Sequence, residues 1–308
     1  SNHRLPRGLQ CASAPCPLHA VPPADSPEIL VLPSPFFSDG DTIRLLEPLD
    51  CDARAVLSQV VSGAYDKPYV IDDGTTRSLH FSLSLIQSTM SLKDPFALEL
   101  DYTQAMMSFL LFLPKPRHIL MLGLGGGSLA KFCYRHLGSA HITVVEIDPR
   151  VIAFRDQFEM PPDDERLEER EGDGADAVIE SAAWSERPDV IVMDAFDRHG
   201  ISGSVNSSYF YQTVHDALAG RGVMVANLAG ERLDRAAHMA MIAEVFDDRV
   251  LTMSLPDGND IVLAIRAPGF APRWREIGNQ AKALRQRIGL DFPKFAARLE
   301  RSRRLRYA

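Results

Sequence analysis

A chain of 308 residues, 45% hydrophobic and 24% charged, can bury a large core and has the composition of an ordinary globular protein. Its net charge of −8 is lopsided: residues 270–308 hold eleven Lys/Arg against three acids, so the first 269 residues carry −16. An acidic body attracts small cations and repels nucleic acid, and the longest apolar stretch, Met106 to Leu113, is too short to span a bilayer, so neither nucleic acid nor membrane is an expected partner.

Residues 1–27 are rich in Pro and Ala and are expected to be loose. Arg4 and Arg7 have no apolar run behind them to make a signal peptide, and the cytoplasm is the expected location. Cys11, Cys16, Cys51 and Cys133 form neither a disulfide framework nor a paired metal motif. No His/Cys/Asp cluster has ligand spacing, and no metal is expected. Residues 28–97 read as a small N-terminal β domain, with EILVL, TIRLL, YVIDDG and SLHFSLSLI as short strands between Gly and Pro. Leu98 to Leu113 sets apolar residues at helical spacing and ends at Pro114 and Pro116.

The run from Ile119 to Asp148, ILMLGLGGGSLAKFCYRHLGSAHITVVEID, reads as one nucleotide-binding unit. Ile119 to Leu122 is a strand. Gly123, Gly125 and Gly127 make a turn that lets a ligand approach bare backbone, Leu129 to Leu137 is a helix, and His141 to Val145 is a second strand ending on Glu146. An acid 23 positions past the first glycine, at the tip of the next parallel strand, suits a bidentate grip on two ribose hydroxyls. The dinucleotide pattern G-x-G-x-x-G fails from Gly123, where Ser128 holds the third place. It passes from Gly125 in the G-x-G-x-x-A form through Gly127 and Ala130.

β and α continue to alternate. A helix covers Arg150 to Phe158, and a strand at Leu167–Arg170 leads to Gly172-Asp173-Gly174. A helix at Ala175–Ala182 and a strand at Asp189–Met193 follow, the latter ending at Asp194. Helix Ser207–Leu218, strand Gly222–Asn227 and helix Arg232–Phe246 come next. Strands Val250–Ser254 and Ile261–Arg266 then turn directly through Asp257-Gly258. A doubly wound sheet closed by an antiparallel hairpin fits the seven-stranded class I methyltransferase sheet better than the six-stranded dinucleotide fold. Residues 98–269 are thus expected to form a Rossmann-like adenosyl-binding catalytic domain. In residues 270–308, Ile277, Ala281, Leu284 and Ile288 recur at helical spacing, which predicts a basic helical tail packed by one face.

In open α/β sheets the ligand lies beyond the carboxyl ends of the strands. Glu146 is placed to hold a ribose. Asp173, followed by Gly174, is placed to accept from an adenine amine, or to cap the next helix. Asp194 and Asp197, in MDAFD, fall beside the switch point. A nucleoside sulfonium carries its own leaving group, so a transferase has only to align an acceptor amine and remove its proton. A free alkylammonium, with a pKa of about 10.4, is no nucleophile while protonated, and a carboxylate pair can bind, orient and deprotonate it.

From about Tyr69 to Arg266 these motifs resemble the spermidine synthase (polyamine aminopropyltransferase) family. The shared features are the Ile71-Asp72-Asp73-Gly74 turn, a helix with Tyr102, the glycine loop, VVEID at Val144–Asp148, GDG at Gly172–Gly174, D-x-x-D at Asp194–Asp197, and the SYFYQTVHDAL helix with Tyr211. The resemblance implies a ribose grip by Glu146, an adenine contact by Asp173 and catalysis by Asp194. It also implies acceptor contacts from Asp197, Tyr102 and Tyr211, and a homodimer. Three positions depart from it. Gly126 stands where the family's loop, GGGDGG, has the Asp that grips the donor amine. Arg77 replaces a Gln after the Asp-Gly turn and is a candidate substrate contact, and Arg198 replaces a Pro after D-x-x-D. Gly126 and Arg77 favour a donor with a carboxylate. The leading expectation is aminopropyl transfer from decarboxylated S-adenosylmethionine to a cationic polyamine such as putrescine. The alternatives are a small-molecule methyltransferase using intact S-adenosylmethionine and a catalytically silent adenosyl-binding relative. An NAD-dependent oxidoreductase ranks last, since the strand ends carry no His/Lys/Tyr set.

Overall fold

The computed structural model describes residues 28–36, 40–83, 85–194, 196–197, 200–201 and 203–306; residues 1–27, expected to be loose, lie outside these. The first five strands are β1 (Leu30–Pro33), β2 (Thr42–Leu45), β3 (Tyr69–Asp72), β4 (Thr76–Ser82) and β5 (Leu85–Ser91). They form one antiparallel sheet in chain order. Two details correct the strand-only reading. Helix α1 (Ala53–Ser62) lies between β2 and β3, opened by the Asp52 carboxylate accepting from the Arg54 and Ala55 amides and closed by Gly63 at φ 76°. SLHFSLSLI is not one strand, because the chain reverses near Leu83 and the run is shared by β4 and β5. Its alternation carries on through the reversal, and no Asn-Gly or Asp-Gly pair marks the turn.

Beyond α2 (Asp101–Met106) and a 3₁₀ turn (Met107–Leu111) the nucleotide unit begins. It comprises β6 (His118–Leu122), α3 (Ser128–His136), β7 (His141–Glu146), α4 (Pro149–Ile152) with a 3₁₀ turn (Arg155–Phe158), β8 (Leu167–Glu171) and α5 (Gly174–Ser181). Next come β9 (Val190–Met193), the two-residue strands β10 (Phe196–Asp197) and β11 (Gly200–Ile201), α6 (Ser208–Ala217), β12 (Val223–Leu228) and α7 (Arg232–Val245). The chain closes with β13 (Val250–Ser254), β14 (Asp260–Ile265), α8 (Trp274–Ile288) and α9 (Phe292–Arg306).

The large sheet has the order β13-β14-β12-β9-β6-β7-β8. Its five strands from β12 to β8 are parallel, and β14 runs antiparallel to both β12 and β13. This is the seven-stranded arrangement that the closing hairpin predicts. The chain leaves β6 in one direction for β7 and β8, then returns to β9 on the other side, so the switch point lies between β6 and β9. Every residue of β9 and β12 is buried, because layers cover both faces. Alternate residues serve alternate cores: Ile119 and Met121 face one, Leu120 and Leu122 the other. The first core also takes Val70, Leu79 and Met90 from the small sheet, and so joins the two sheets.

The basic tail folds back on this core. Ile277, Ala281, Leu284 and Ile288 of α8 are buried, as are Phe292, Phe295 and Leu299 of α9, while Arg275, Lys282, Arg285, Arg287, Lys294 and Arg301 are exposed. Leu284, only 1% exposed, is expected to destabilise the protein by about 2–5 kcal/mol on Leu284→Ala, whereas the exposed Arg285→Ala should stay within about 0.5 kcal/mol. Urea unfolding of the two variants checks this, and equal midpoints would detach the tail from the core.

Candidate active site

The carboxyl ends of β6, β7 and β9 open into a cleft of about 1090 Å³ of empty space, its mouth included. Gly123, Gly125 and Gly127 adopt φ of 98°, 53° and 68°, which side-chain-bearing residues rarely take. Gly123 and Gly125 line the cleft, whereas Gly127, expected to bind the donor, is turned against the Met160 side chain. Glu146, 8% exposed, is pinned beside this loop. Its Oε2 accepts from the Leu124 amide at 2.9 Å and its Oε1 from the Asp148 amide at 2.9 Å. Burial nevertheless holds its carboxyl above the usual range. Each oxygen keeps a second acceptor position, which is what two adjacent ribose hydroxyls require.

Asp194 ends β9, with its amide bonded to the Leu122 carbonyl of β6 at 3.0 Å. Asp194 forms part of the cleft wall and is partly exposed there. Desolvation raises its pKa to about 6, against the lowering effect of two donors. The donors are Asn227 Nδ2 to Oδ1 at 3.1 Å and Tyr102 Oη to Oδ2 at 3.3 Å. Tyr102, from α2, also reaches the Gln87 carbonyl at 3.2 Å, so its single proton is shared. Burial and the Asp194 charge push the phenol well above its ordinary range, which keeps it a donor.

The remaining expected site residues divide. Asp173 caps α5 through the Ala175 amide at 2.7 Å, and its neighbour Gly174 lines the cleft. Asp197 sits in the β10–β11 pair opposite Gly200, and its side chain lies outside what the structure describes. Arg77 and Tyr211 are not brought to the cleft. The Arg77 guanidinium grips Asp72 Oδ2 at 2.7 Å and 3.0 Å and donates to the Gln157 carbonyl. Tyr211 is buried in the second core, bonded through its hydroxyl to His238 Nδ1 at 2.7 Å. Arg77 was placed by a turn motif whose register sets it across from Asp72, and Tyr211 by a helix whose apolar face points inward.

Gly126 has a packing explanation. A Cβ there would stand 2.8 Å from the Phe158 ring and 2.8 Å from Ser88 Oγ. Phe158 is itself held by its carbonyl, which accepts from Lys131 Nζ at 2.5 Å. Burial lowers the pKa of Lys131 to about 8, against the opposing charge of Glu159. The loop's cleft side is instead met by Ser88 and Ser128, whose hydroxyls lie 3.0 Å apart. Sequence reasoning missed Gln87, Ser88 and Asn227. Only Asn227 carried a signal, a polar residue near the carboxyl end of an otherwise apolar parallel strand.

A spermine/spermidine synthase domain model matches residues 99–245. The polyamine aminopropyltransferase of Chromobacterium violaceum is 35% identical over 76% of this chain and 89% of its own, and that of Neisseria meningitidis serogroup B is 33% identical over the same shares. Among solved structures, a probable spermidine synthase from Corynebacterium glutamicum aligns with a TM-score of 0.59 at 20% identity, over 76% of this chain and 93% of that one. Human methyltransferase-like protein 13 in complex with SAH aligns at 0.56 and 25% identity, over 62% of this chain and 93% of that one.

The raised pKa of Asp194 has a stability signature. An unfolded Asp titrates near 3.9 and the folded one at about 6, so the native state holds this proton more tightly. The group therefore favours folding at low pH, and that contribution is lost as pH rises through the folded value. Asp194→Asn cannot ionise, and is expected to be about 1–2 kcal/mol more stable than wild type at pH 8 and level with it near pH 4. Denaturant titrations at both pH values check this, and the same difference at both would contradict a desolvated carboxylate.

Proposed function

The chain belongs to the spermine/spermidine synthase family, and we propose that it transfers the aminopropyl group of decarboxylated S-adenosylmethionine to a small cationic amine such as putrescine. One observation carries the reading: a carboxylate fit to grip ribose, Glu146, shares a cleft with a desolvated carboxylate of pKa about 6, Asp194. A sulfonium nucleoside anchored at Glu146 and the glycine loop has its reacting carbon on the Asp194 side. The acceptor arrives as an ammonium with a pKa of about 10.4 and must lose a proton first. Asp194 is ionised at neutral pH and is a stronger base than an exposed Asp. It takes the proton, the freed amine attacks the carbon bonded to sulfur, and the C–S electron pair leaves with sulfur as methylthioadenosine. Tyr102 and Asn227 hold the two oxygens of the carboxylate through this step.

The −16 charge of residues 1–269 favours a cationic acceptor. Arg77 no longer argues for a carboxylated donor, since its guanidinium is committed to Asp72 and Gln157. Methyl transfer from intact S-adenosylmethionine is the second reading. It is favoured by one feature, that Ser88 and Ser128 rather than an acid meet the loop at Gly126. A homodimer, a cytoplasmic location and the absence of a nucleic-acid or membrane partner belong to the same proposal. Among the described residues no helix is long and apolar enough to cross a membrane.

Incubation with each donor and putrescine, followed by mass spectrometry, separates the readings. Spermidine is the expected product, and a methylated amine formed only from the intact donor would replace the first reading by the second. Asp194→Asn is expected to lower turnover by about 10²–10⁴-fold with little change in donor binding. Glu146→Ala should weaken methylthioadenosine by at least roughly tenfold, through loss of charge-assisted bonds to the ribose. Unchanged affinity on calorimetry would remove Glu146 from the donor site.

A further inference from the structure

Asn227 is an unusual residue for its place. It lies in β12, VMVANL, between β9 and the antiparallel β14, where every neighbour along the strand is apolar and buried. It is 3% exposed. Its Nδ2 serves Asp194 Oδ1 at 3.1 Å, while its Oδ1 is buried with no hydrogen-bond partner among the described residues. A buried acceptor without a partner is unfavourable, and an aliphatic side chain would fill this position without that penalty. The orientation is set by chemistry, since turning the amide over would place oxygen against the oxygen of an ionised Asp194.

The idle acceptor and the occupied donor match the two states of the group they face. As a carboxylate, Asp194 accepts only. Once it has taken the acceptor's proton it is a carboxylic acid with an O–H to donate. We propose that Asn227 is a positioning residue that serves Asp194 in both protonation states, giving Nδ2–H to the carboxylate before transfer and, after a half-turn of the carboxamide, receiving the acid's O–H on Oδ1. The inference rests on Asp194 being the base in the reading above. In balance, R–NH₃⁺ gives H⁺ to the carboxylate, the amine forms its N–C bond as the C–S⁺ bond breaks, and the acid later releases H⁺ to solvent. Tyr102 can serve only Oδ2, donating to the carboxylate or, with its proton turned to the Gln87 carbonyl, accepting from the acid, so Oδ1 depends on Asn227 in both states.

Among the described residues, Tyr102 of α2 and Glu146 of β7 share the cleft wall with Asp194, and the charge of Asp257 acts on Tyr102. On β14, Asp260 is held by Arg235 at 2.8 Å and by Ser254 Oγ at 2.5 Å. Asp197 follows on β10. None of these is bonded to the Asn227 carboxamide, and repeating the titration in Glu146→Gln separates the response to Asp194 from that to Glu146.

Two measurements test the proposal. In Asn227→Leu the carboxylate loses a charge-assisted donor and the acid loses a weaker neutral acceptor, so the acid limb of kcat/KM for the amine should move up by the difference, about half to one pH unit, with donor affinity kept within about twofold. A variant that only loosened the fold would lower kcat or stability and leave the limb in place, and a limb at its wild-type position overturns the proposal. The second measurement uses the wild-type protein and needs no turnover. The ¹⁵N and proton signals of the Asn227 carboxamide should titrate with an apparent pKa of about 6, in step with Asp194. Signals that stay flat from about pH 4.5 to 7.5 overturn the proposal, even if aminopropyl transfer is confirmed. A titrating amide in a protein without aminopropyl transfer keeps the pairing and discards the reaction.

Discussion

The carboxylate of Asp194 is partly desolvated at a point where the backbone is held on both sides, and the rest of the site is arranged around that constraint. β9 is hydrogen-bonded to parallel strands on both sides, and its register with β6 and β12 is fixed over four residues each way. Asp194 is the first residue past that ladder, with its own amide still tied to Leu122. Its side chain must therefore enter the cleft, where desolvation works against its charge and two neutral donors partly restore it. The balance leaves a base that is ionised at neutral pH yet keeps appreciable affinity for a proton. An exposed Asp, with a pKa near 3.9, would be the weaker base by about two units.

The donor side follows from the same sheet. β7 lies beside β6 on the far side of the switch point, so Glu146 and Asp194 flank the glycine loop from opposite sides. Left-handed glycines open the loop, and packing keeps it in place. Phe158 abuts Gly126, Lys131 holds the Phe158 carbonyl, and Arg77 holds the carbonyl one residue earlier. Two cations that could have faced substrate thus brace the wall behind it. The small sheet contributes the other wall through Gln87 and Ser88. It can do so because Leu79 and Met90 pack into the same core as β6.

The sheet order was legible because four consecutive strands end on Gly or an acid (Gly123, Glu146, Asp173 and Asp194), and because a tight turn through Asp257-Gly258 allows only an antiparallel close. Glu146 and Asp194 were legible for the same reason, since a strand end in a parallel sheet has one place to point. The helix face of the tail was equally plain in the spacing of Ile277, Ala281, Leu284 and Ile288. What the sequence concealed depends on contacts between segments far apart in the chain. Arg77 looks like a ligand until Asp72 is seen across the β3–β4 pair. Tyr211 looks like an acceptor contact until α7 brings His238 to its hydroxyl. α1 was hidden among short strands, for its face is apolar only at intervals and just Val60 is buried. The hairpin between β4 and β5 escaped because alternation alone does not say where a strand reverses.

The pH dependence of kcat/KM for the amine acceptor, measured on the wild-type protein with saturating decarboxylated S-adenosylmethionine, tests the desolvated base most directly. Groups of the donor-bound enzyme before the amine arrives govern this ratio, and one carboxylate of pKa about 6 predicts a rate that falls tenfold per pH unit below that value. A rate that stays level down to about pH 4.5, as an ordinary exposed Asp would allow, contradicts the account.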